Sequence, residues 1–337
     1  MTPKSKTTKK RTGITAGITG LGAYLPKKVM TNADLEKLVD TSDEWIRTRT
    51  GISERRIADE KEVTSDLAVN AARMALKDAK LEIKDVELII LASISPDMPF
   101  PATSCIVQAK LGAVNAACFD INAACSGFIH ELTIAQQFVE SGMYKNVLVI
   151  GAELLSRFTD WKDRNTCVLF GDGAGAAVIA PVRSGGIISS YLGADGTKSQ
   201  LLMCPAGGSV HPASHKTVTE GMHFLKMQGN DVFKNAVRVM TDACSKVLHR
   251  SGLTAKDIDC VIPHQANIRI IEAVLERVKI PMEKVFVNVD RYGNMSAASA
   301  IVALFEAVKE GRVKKGDKVL LVAFGSGFVW GSCIIEW

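Results

Sequence analysis

Three residues in this chain have the type and the surroundings to do chemistry. Cys125 follows the apolar stretch Cys118-Phe119-Asp120-Ile121-Asn122 and opens a helical pattern that runs to about Glu140. A thiol at that point faces unpaired backbone N–H groups and the positive end of a helix dipole, and both favour the thiolate, the nucleophilic form. The competing reading is an inert buried cysteine, since free cysteine is among the most buried residue types. His264 stands in Pro263-His264-Gln265-Ala266-Asn267, directly after an apolar run and before a helical pattern. The carboxyl end of a strand is where sites collect in open α/β sheets. His130, His211, His215, His223 and His249 have no comparable setting. Asn294, in Tyr292-Gly293-Asn294-Met295-Ser296, also precedes a helix, where asparagine equally serves as an N-cap or turn residue.

Two glycine-rich stretches bear on the reaction class. Gly325-Ser326-Gly327 follows an apolar run and can present backbone N–H groups to a developing oxyanion. Gly171 to Ala176 fits a loose GxGxxA pattern, but Ala177-Val178-Ile179-Ala180-Pro181 follows it and reads as a strand, where a dinucleotide-binding turn needs a helix. A nicotinamide cofactor is not expected. The eight cysteines form no CxxC pair and no His/Cys ligand spacing, so we expect reduced thiols and no metal site.

The elements that must hold these residues come in two sets. In the first half, 86–94 and 147–150 read as buried strands, and helical patterns cover 66–80 and 126–140. The second half repeats this, with helices near 231–251, 267–278 and 296–310 and strands near 258–263, 285–289 and 318–324. The halves also align in sequence. Leu81 to Ile90 matches Leu253 to Ile262, Asn146 to Ile150 matches Lys318 to Val322, and Asn122 to Cys125 matches Asn294 to Ala297, all at an offset of 172. A period near half the chain indicates two copies of one unit rather than a short-repeat solenoid. Under this register Cys125 stands opposite Ala297, and His264 opposite Ala92. Alternating strands and helices predict sheets covered by helices, an α/β fold. The expected organisation is a basic leader over 1–12, one half over 13–184 and a second over 185–337.

Charge removes several function classes. The net +5 of the 337 residues equals the charge of Lys4, Lys6, Lys9, Lys10 and Arg11, so residues 12–337 balance 36 basic against 36 acidic side chains. A neutral body argues against nucleic-acid binding, and no apolar run approaches the roughly 18 residues of a membrane helix. The Thr/Lys-rich start reads as a flexible leader, and a cytoplasmic location is expected.

Taken together, Cys125, His264 and Asn294 make the sequence resemble the β-ketoacyl-[acyl-carrier-protein] synthase III family of thiolase-like condensing enzymes. The resemblance runs from about residue 14 to Trp337. It is carried by Thr41 to Ile52 (containing Trp45, Arg49 and Gly51), Asp120 to Phe128 around Cys125, Phe170 to Ala176, His264 to Asn267, Gly293-Asn294 and Phe324 to Phe328. It implies a duplicated five-layered α/β/α/β/α sandwich and a homodimer. It implies that Cys125 takes an acyl group from an acyl-CoA, acetyl or short and branched, and that malonyl on an acyl carrier protein loses CO2 and attacks it. No cofactor beyond the coenzyme A thioester substrate is implied.

The same resemblance assigns further residues. The N–H groups of Cys125 and Ser326 would hold the oxyanion, and His264 and Asn294 the enolate oxygen formed on decarboxylation. Trp45 and Arg164 would sandwich the adenine of coenzyme A, with Arg49 and Asn267 as further contacts. Phe170 would line the acyl pocket, while Phe100 would reach into the partner's. The stretch Met203 to Ser214 would form pocket wall. Arg269, Arg277 and Lys279, with Lys284 beyond, would make the local basic patch for the acidic carrier protein. Ser326 departs from the family's frequent all-glycine turn, which leaves the backbone donor in place. Alternatives are a condensing or acyl-transferring enzyme of secondary metabolism, a Cys125-His264 thioester hydrolase, and a non-catalytic acyl-CoA binder.

Overall fold

A computed structural model describes residues 13–337; the leader expected over 1–12 lies outside the described residues. Nine strands build two sheets. The first contains β1 (Thr15–Tyr24), β2 (Leu88–Ala92), β3 (Ala117–Ile121), β4 (Val147–Leu154) and β5 (Asp172–Val182) in the order β1-β5-β4-β2-β3. The second contains β6 (Gly186–Ala194), β7 (Cys260–Pro263), β8 (Lys318–Gly325) and β9 (Val329–Glu336) in the order β7-β8-β9-β6. The pairings repeat: β2 runs parallel to β4 as β7 does to β8, and β5 and β9 each close antiparallel onto their neighbours.

Seven helices complete the layers: α1 (Asp43–Thr50), α2 (Thr64–Asp78), α3 (Thr103–Leu111), α4 (Gly127–Glu140), α5 (Gly229–Ser251), α6 (Ile268–Val278) and α7 (Ala297–Lys309). Helices α4 and α7 pack on each other and on both sheets, α2 and α3 cover the outer face of the first sheet, and α5 and α6 cover that of the second. This is the five-layered α/β/α/β/α sandwich expected from the resemblance. The strands are apolar on both faces because both are buried. Leu88, Ile90, Val319 and Leu321 point into the central layer, while Ile89 and Leu91 meet α2 and α3, and Leu320 and Val322 meet α5 and α6.

The offset of 172 holds through β2/β7, β4/β8 and α4/α7, then fails. Val147 pairs with Ile179 and Val319 with Ile335, so β9 follows β5 at an offset of 156. The first copy spends residues 155–171 between its last two strands, and the second only 326–328. The strand expected at 285–289 is also absent. Val285 makes one bridge to Val261, and the chain then turns into the short helix Val289–Tyr292. The amides of Asn288 and Val289 donate instead to the side-chain oxygen of the buried Gln265, at 2.9 and 3.2 Å. The side chain takes over the pairing that a fifth strand would have supplied.

Candidate active site

Both copies bend sharply before α4 and α7, and each bend forces a non-glycine residue into the left-handed region. Ala124 has φ +43° and Ser296 φ +45°, at the 172-residue offset. Side chains cost energy there, and such strain gathers at sites that need a group aimed in a fixed direction. In the first copy the bend presents Cys125 at the head of α4. Its amide lies against Gly325 at the end of β8: a methyl group added there would stand 2.6 Å from the Cys125 nitrogen. Only glycine allows this approach.

His264 is held at the end of β7, its amide donating to the Val322 carbonyl at 2.8 Å. Asn294 is placed by the loop before β5, its amide donating to the Leu169 carbonyl at 2.8 Å and its carbonyl accepting from Gly171 at 3.1 Å. The Asn294 side-chain oxygen accepts from the Ser296 amide at 2.8 Å, which turns the side-chain NH2 away from that bond. Cys125, His264 and Asn294 all line one cavity of about 660 Å³ and are 7, 5 and 8% exposed. Gly171 to Ala176 runs straight into β5, and the buried Asp172 carboxylate accepts from the amides of Ala58 and Ser156, each at 2.8 Å. This stretch is structural.

The electrostatics differ from the expectation at Cys125. The helix head favours the thiolate, but burial is the larger effect and pushes the thiol up to about 12, with the nearby Glu153 carboxylate adding to it. The resting group is the thiol. Burial alone draws His264 down to about 3, and neither ring nitrogen has a hydrogen-bond partner among the described residues. An uncharged imidazole facing an open cavity can donate to an oxygen that arrives with the substrate. With Asn294 it offers two neutral donors.

The remaining residues divide. Trp45 stands half-buried at the cavity mouth with the guanidinium groups of Arg49 and Arg164 each 4.9 Å from its ring centroid. Arg164 also donates to the Asp40 carbonyl at 2.8 Å. An adenine between Trp45 and Arg164 therefore requires the two to part. Asn267 caps α6, its oxygen accepting from the Arg269 amide at 2.9 Å and its NH2 donating to the Arg49 carbonyl at 2.9 Å, so it ties α6 to the end of α1. Phe170 is buried in the cavity wall, whereas Phe100 is 84% exposed and does not reach the cavity of its own chain. Leu202 and Met227 line the cavity where Met203 to Ser214 had been expected to. The Ser326 hydroxyl donates to the Leu202 carbonyl and so anchors that wall. Arg269 lies at the mouth, its guanidinium 5.6 Å over Phe233, and Arg277 and Lys279 are exposed farther along α6. Lys284 is committed to the carbonyl of Ile258 at 2.5 Å.

Sequence reasoning missed three groups. Arg55 is fully buried beneath the loop before β5, donating to the carbonyl of Val168 and the side chain of Asn32 at 2.8 and 3.0 Å, and burial lowers it to about 10. Glu153 and Ser296 are neighbours of Cys125. An acid near the end of the apolar run of β4 was the available signal for Glu153.

Among the described residues no helix is long and apolar enough to cross a membrane, and no cluster of His, Cys, Asp and Glu could hold a metal ion. Residues 119–196 match the family described as 3-oxoacyl-[acyl-carrier-protein (ACP)] synthase III, and residues 248–337 match its C-terminal region. The chain is 62% identical over 325 residues to β-ketoacyl-[acyl-carrier-protein] synthase III of Caldanaerobacter subterraneus subsp. tengcongensis, covering 96% of this chain and 98% of that protein. Among solved structures it is similar to 3-oxoacyl-[acyl-carrier-protein] synthase III from Aquifex aeolicus VF5, with TM-score 0.88, 50% identity and coverage of 96 and 100% of the two chains. It is also similar to the priming β-ketosynthase from the R1128 polyketide biosynthetic pathway, with TM-score 0.90, 34% identity and coverage of 98% of each chain.

Proposed function

The chain belongs to the 3-oxoacyl-[acyl-carrier-protein] synthase III family, and on that premise we propose how its cavity carries out the family's reaction. The protein is an initiating condensing enzyme of fatty acid synthesis: it joins an acyl group from coenzyme A to malonyl-[acyl-carrier-protein] with loss of CO2. Relatives of such identity favour this reading over the secondary-metabolic and hydrolytic alternatives. One observation carries the assignment of roles. Among the described residues, the one thiol lining the cavity meets two neutral donors there, behind a mouth built from an aromatic ring and arginines.

Cys125 attacks the thioester carbonyl, and the oxygen that becomes negative is held by the N–H groups of Cys125 and Ser326. Prearranged donors of this kind typically account for a rate factor of about 10²–10³ each. Coenzyme A leaves and the acyl group stays on sulfur. The malonyl arm then enters, and His264 and Asn294 donate to the thioester oxygen that becomes an enolate as CO2 departs. The carbanion attacks the acyl carbon and frees Cys125. An imidazolium would hold the malonyl carboxylate as an ion pair, whereas a neutral imidazole rewards only the charge that develops.

Trp45 and Arg164 open to take the adenine, Arg49 meets phosphate, and Asn267 sets the orientation of α6 at the mouth. The exposed Phe100 closes the acyl pocket of a second copy, making the working unit a homodimer. Arg269, Arg277 and Lys279 receive the acidic carrier protein. The starter is acetyl or a short branched acyl group, the reaction needs no cofactor beyond the coenzyme A thioester, and it takes place in the cytoplasm.

Labelled acetyl-CoA should leave one acetyl group on the wild-type chain and none on Cys125→Ala; label retained by Cys125→Ala would overturn the assignment. His264→Ala should still be acylated but fail to condense. A panel of acyl-CoA starters, read by condensation rate, identifies the preferred acyl group.

A further inference from the structure

Acylating Cys125 raises a question that the thiol, His264 and Asn294 leave open: where its proton goes. The resting sulfur is a thiol, and the only ionisable group among the cavity-lining pair of donors, His264, is held neutral at about 3. Outside the lining of the cavity, yet close enough for its charge to act on the thiol, lies the fully buried Glu153 at the end of β4. Its carboxylate accepts from the Ser93 hydroxyl at 3.1 Å, the Ile94 amide at 3.1 Å, the Ser95 hydroxyl at 2.5 Å and the Ala297 amide at 3.4 Å. Ser296, next to the Ala297 amide from which Glu153 accepts, neighbours both Glu153 and Cys125. Its hydroxyl favours the charged forms of both neighbours, yet it is buried and settled in no hydrogen bond of its own. A buried hydroxyl left unpaired costs stability, and one that can turn between a thiol and a carboxylate can pass a proton.

We propose that Glu153, acting through the hydroxyl of Ser296, takes the proton that Cys125 gives up on acylation, holds it while the acyl group occupies the sulfur, and returns it when condensation frees the thiolate. The proposal rests on the condensing-enzyme reading above. In the first half-reaction the Cys125 S–H bond and the substrate's C–S bond to coenzyme A break, and the Cys125 S–acyl bond forms. Coenzyme A leaves as the thiolate, and Glu153 becomes the neutral acid. In the second, the bond from the malonyl carbon to CO2 breaks and its electron pair forms the new carbon–carbon bond. The acyl–S bond breaks, and the sulfur recovers its proton from Glu153 through Ser296.

The surroundings suit a group that works in both states. Burial lifts Glu153 to about 7, against about 3 for His264, so near neutrality it holds a proton far more readily than the imidazole does. The ionisable neighbours are Cys125 on the elbow and Glu131 on α4, itself raised well above the ordinary carboxyl range by burial. The hydroxyls of Ser93 and Ser95 donate to the carboxylate and can turn to accept from the acid. Glu153 reaches the reacting sulfur only through Ser296, so it is a positioning residue for the proton rather than a contact to substrate.

The test is the rate of single-turnover acylation by labelled acetyl-CoA from about pH 5 to about pH 9, beside the rate of malonyl decarboxylation on the carrier protein. The wild-type acylation rate should rise through about pH 7, following ionisation of Glu153. Glu153→Gln should lower acylation by about 10²-fold and flatten that rise, and Ser296→Ala should do the same. Glu153→Asp should recover part of the rate together with the pH dependence. Decarboxylation should fall far less than acylation in all three. An unchanged pH profile in Glu153→Gln, or equal loss of both half-reactions in it, would overturn the relay. A wild-type chain that takes no label would instead overturn the reading on which the relay rests.

Discussion

The two elbows, residues 122–126 and 294–298, are the same backbone put to different uses. Each passes through a strained left-handed residue, Ala124 or Ser296, into a helix of the central layer. Each elbow amide faces the end of a strand of the opposite copy, and the strand residues in question, Gly325 and Glu153, are themselves 172 positions apart. At the second elbow the Glu153 carboxylate sits against the Ala297 amide. At the first, Gly325 leaves the Cys125 amide uncovered by any side chain. The scaffold thus provides an anion place at both elbows. The second is filled by the protein's own carboxylate, and the first is free for a substrate oxygen, which supports the oxyanion role given to that amide. The surroundings follow the same division. Ala297 is packed so closely that a methyl group at Gly127 or Gly151 would lie 3.0 and 2.6 Å from its atoms, whereas Cys125 opens onto the cavity.

Making the elbows chemically alike should have the largest effect. Cys125→Ala should cut condensation by at least about 10⁴-fold, measured with acetyl-CoA and malonyl carrier protein. Gly325→Ala, which covers the free amide, should lower acylation by about 10²–10³-fold; a rate within about threefold of wild type would break the comparison. The reverse change, Ala297→Cys, should give a thiol that takes no acetyl label and should cost about 1–3 kcal/mol in denaturant unfolding, because the second elbow has no room.

Smaller still is the acid branch of stability. His264 binds its proton at 6.5 when unfolded and at about 3 when folded, so on acidification the unfolded chain is protonated first and stability falls from about pH 6.5 toward 3. By pH 5 the loss from this group is about 2 kcal/mol, and His264→Gln should lack it. Ser326→Gly keeps the backbone donor and removes only the tie to Leu202, so its condensation rate should stay within about threefold of wild type.

The duplication was legible because strands and elbows keep their spacing: matches around Ile90, Ile150 and Cys125 all fell in one register. The change of register after β4 was not, since it comes from a loop whose length no periodic pattern records. At 285–289 a strand is expected, and only the buried side chain of Gln265 explains why the amides of Asn288 and Val289 are satisfied otherwise. Cys125 is identifiable from its place at a helix head, but the helix dipole is a local property and burial a tertiary one, so the burial that raises the thiol is not legible in the sequence. Glu153 escapes because it lies three residues beyond Ile150, past the end of the continuous apolar run Val147–Ile150. Ser296 is a serine near a helix start, where serine is ordinary. Its importance comes from what two distant strands place beside it.

The stacked mouth has a consequence of its own. Trp45 is not a bare ring: two guanidinium groups already lie against it, each 4.9 Å from its centroid. On the proposed reading, a nucleotide does not add to this surface but trades places with one of its tenants. The arginine it evicts is then at hand for the ligand's phosphates. Affinity at the mouth is therefore the difference between two stacks, with a charge pairing gained in the trade. A pantetheine arm carried by a protein brings no base to trade and leaves the tenants where they are.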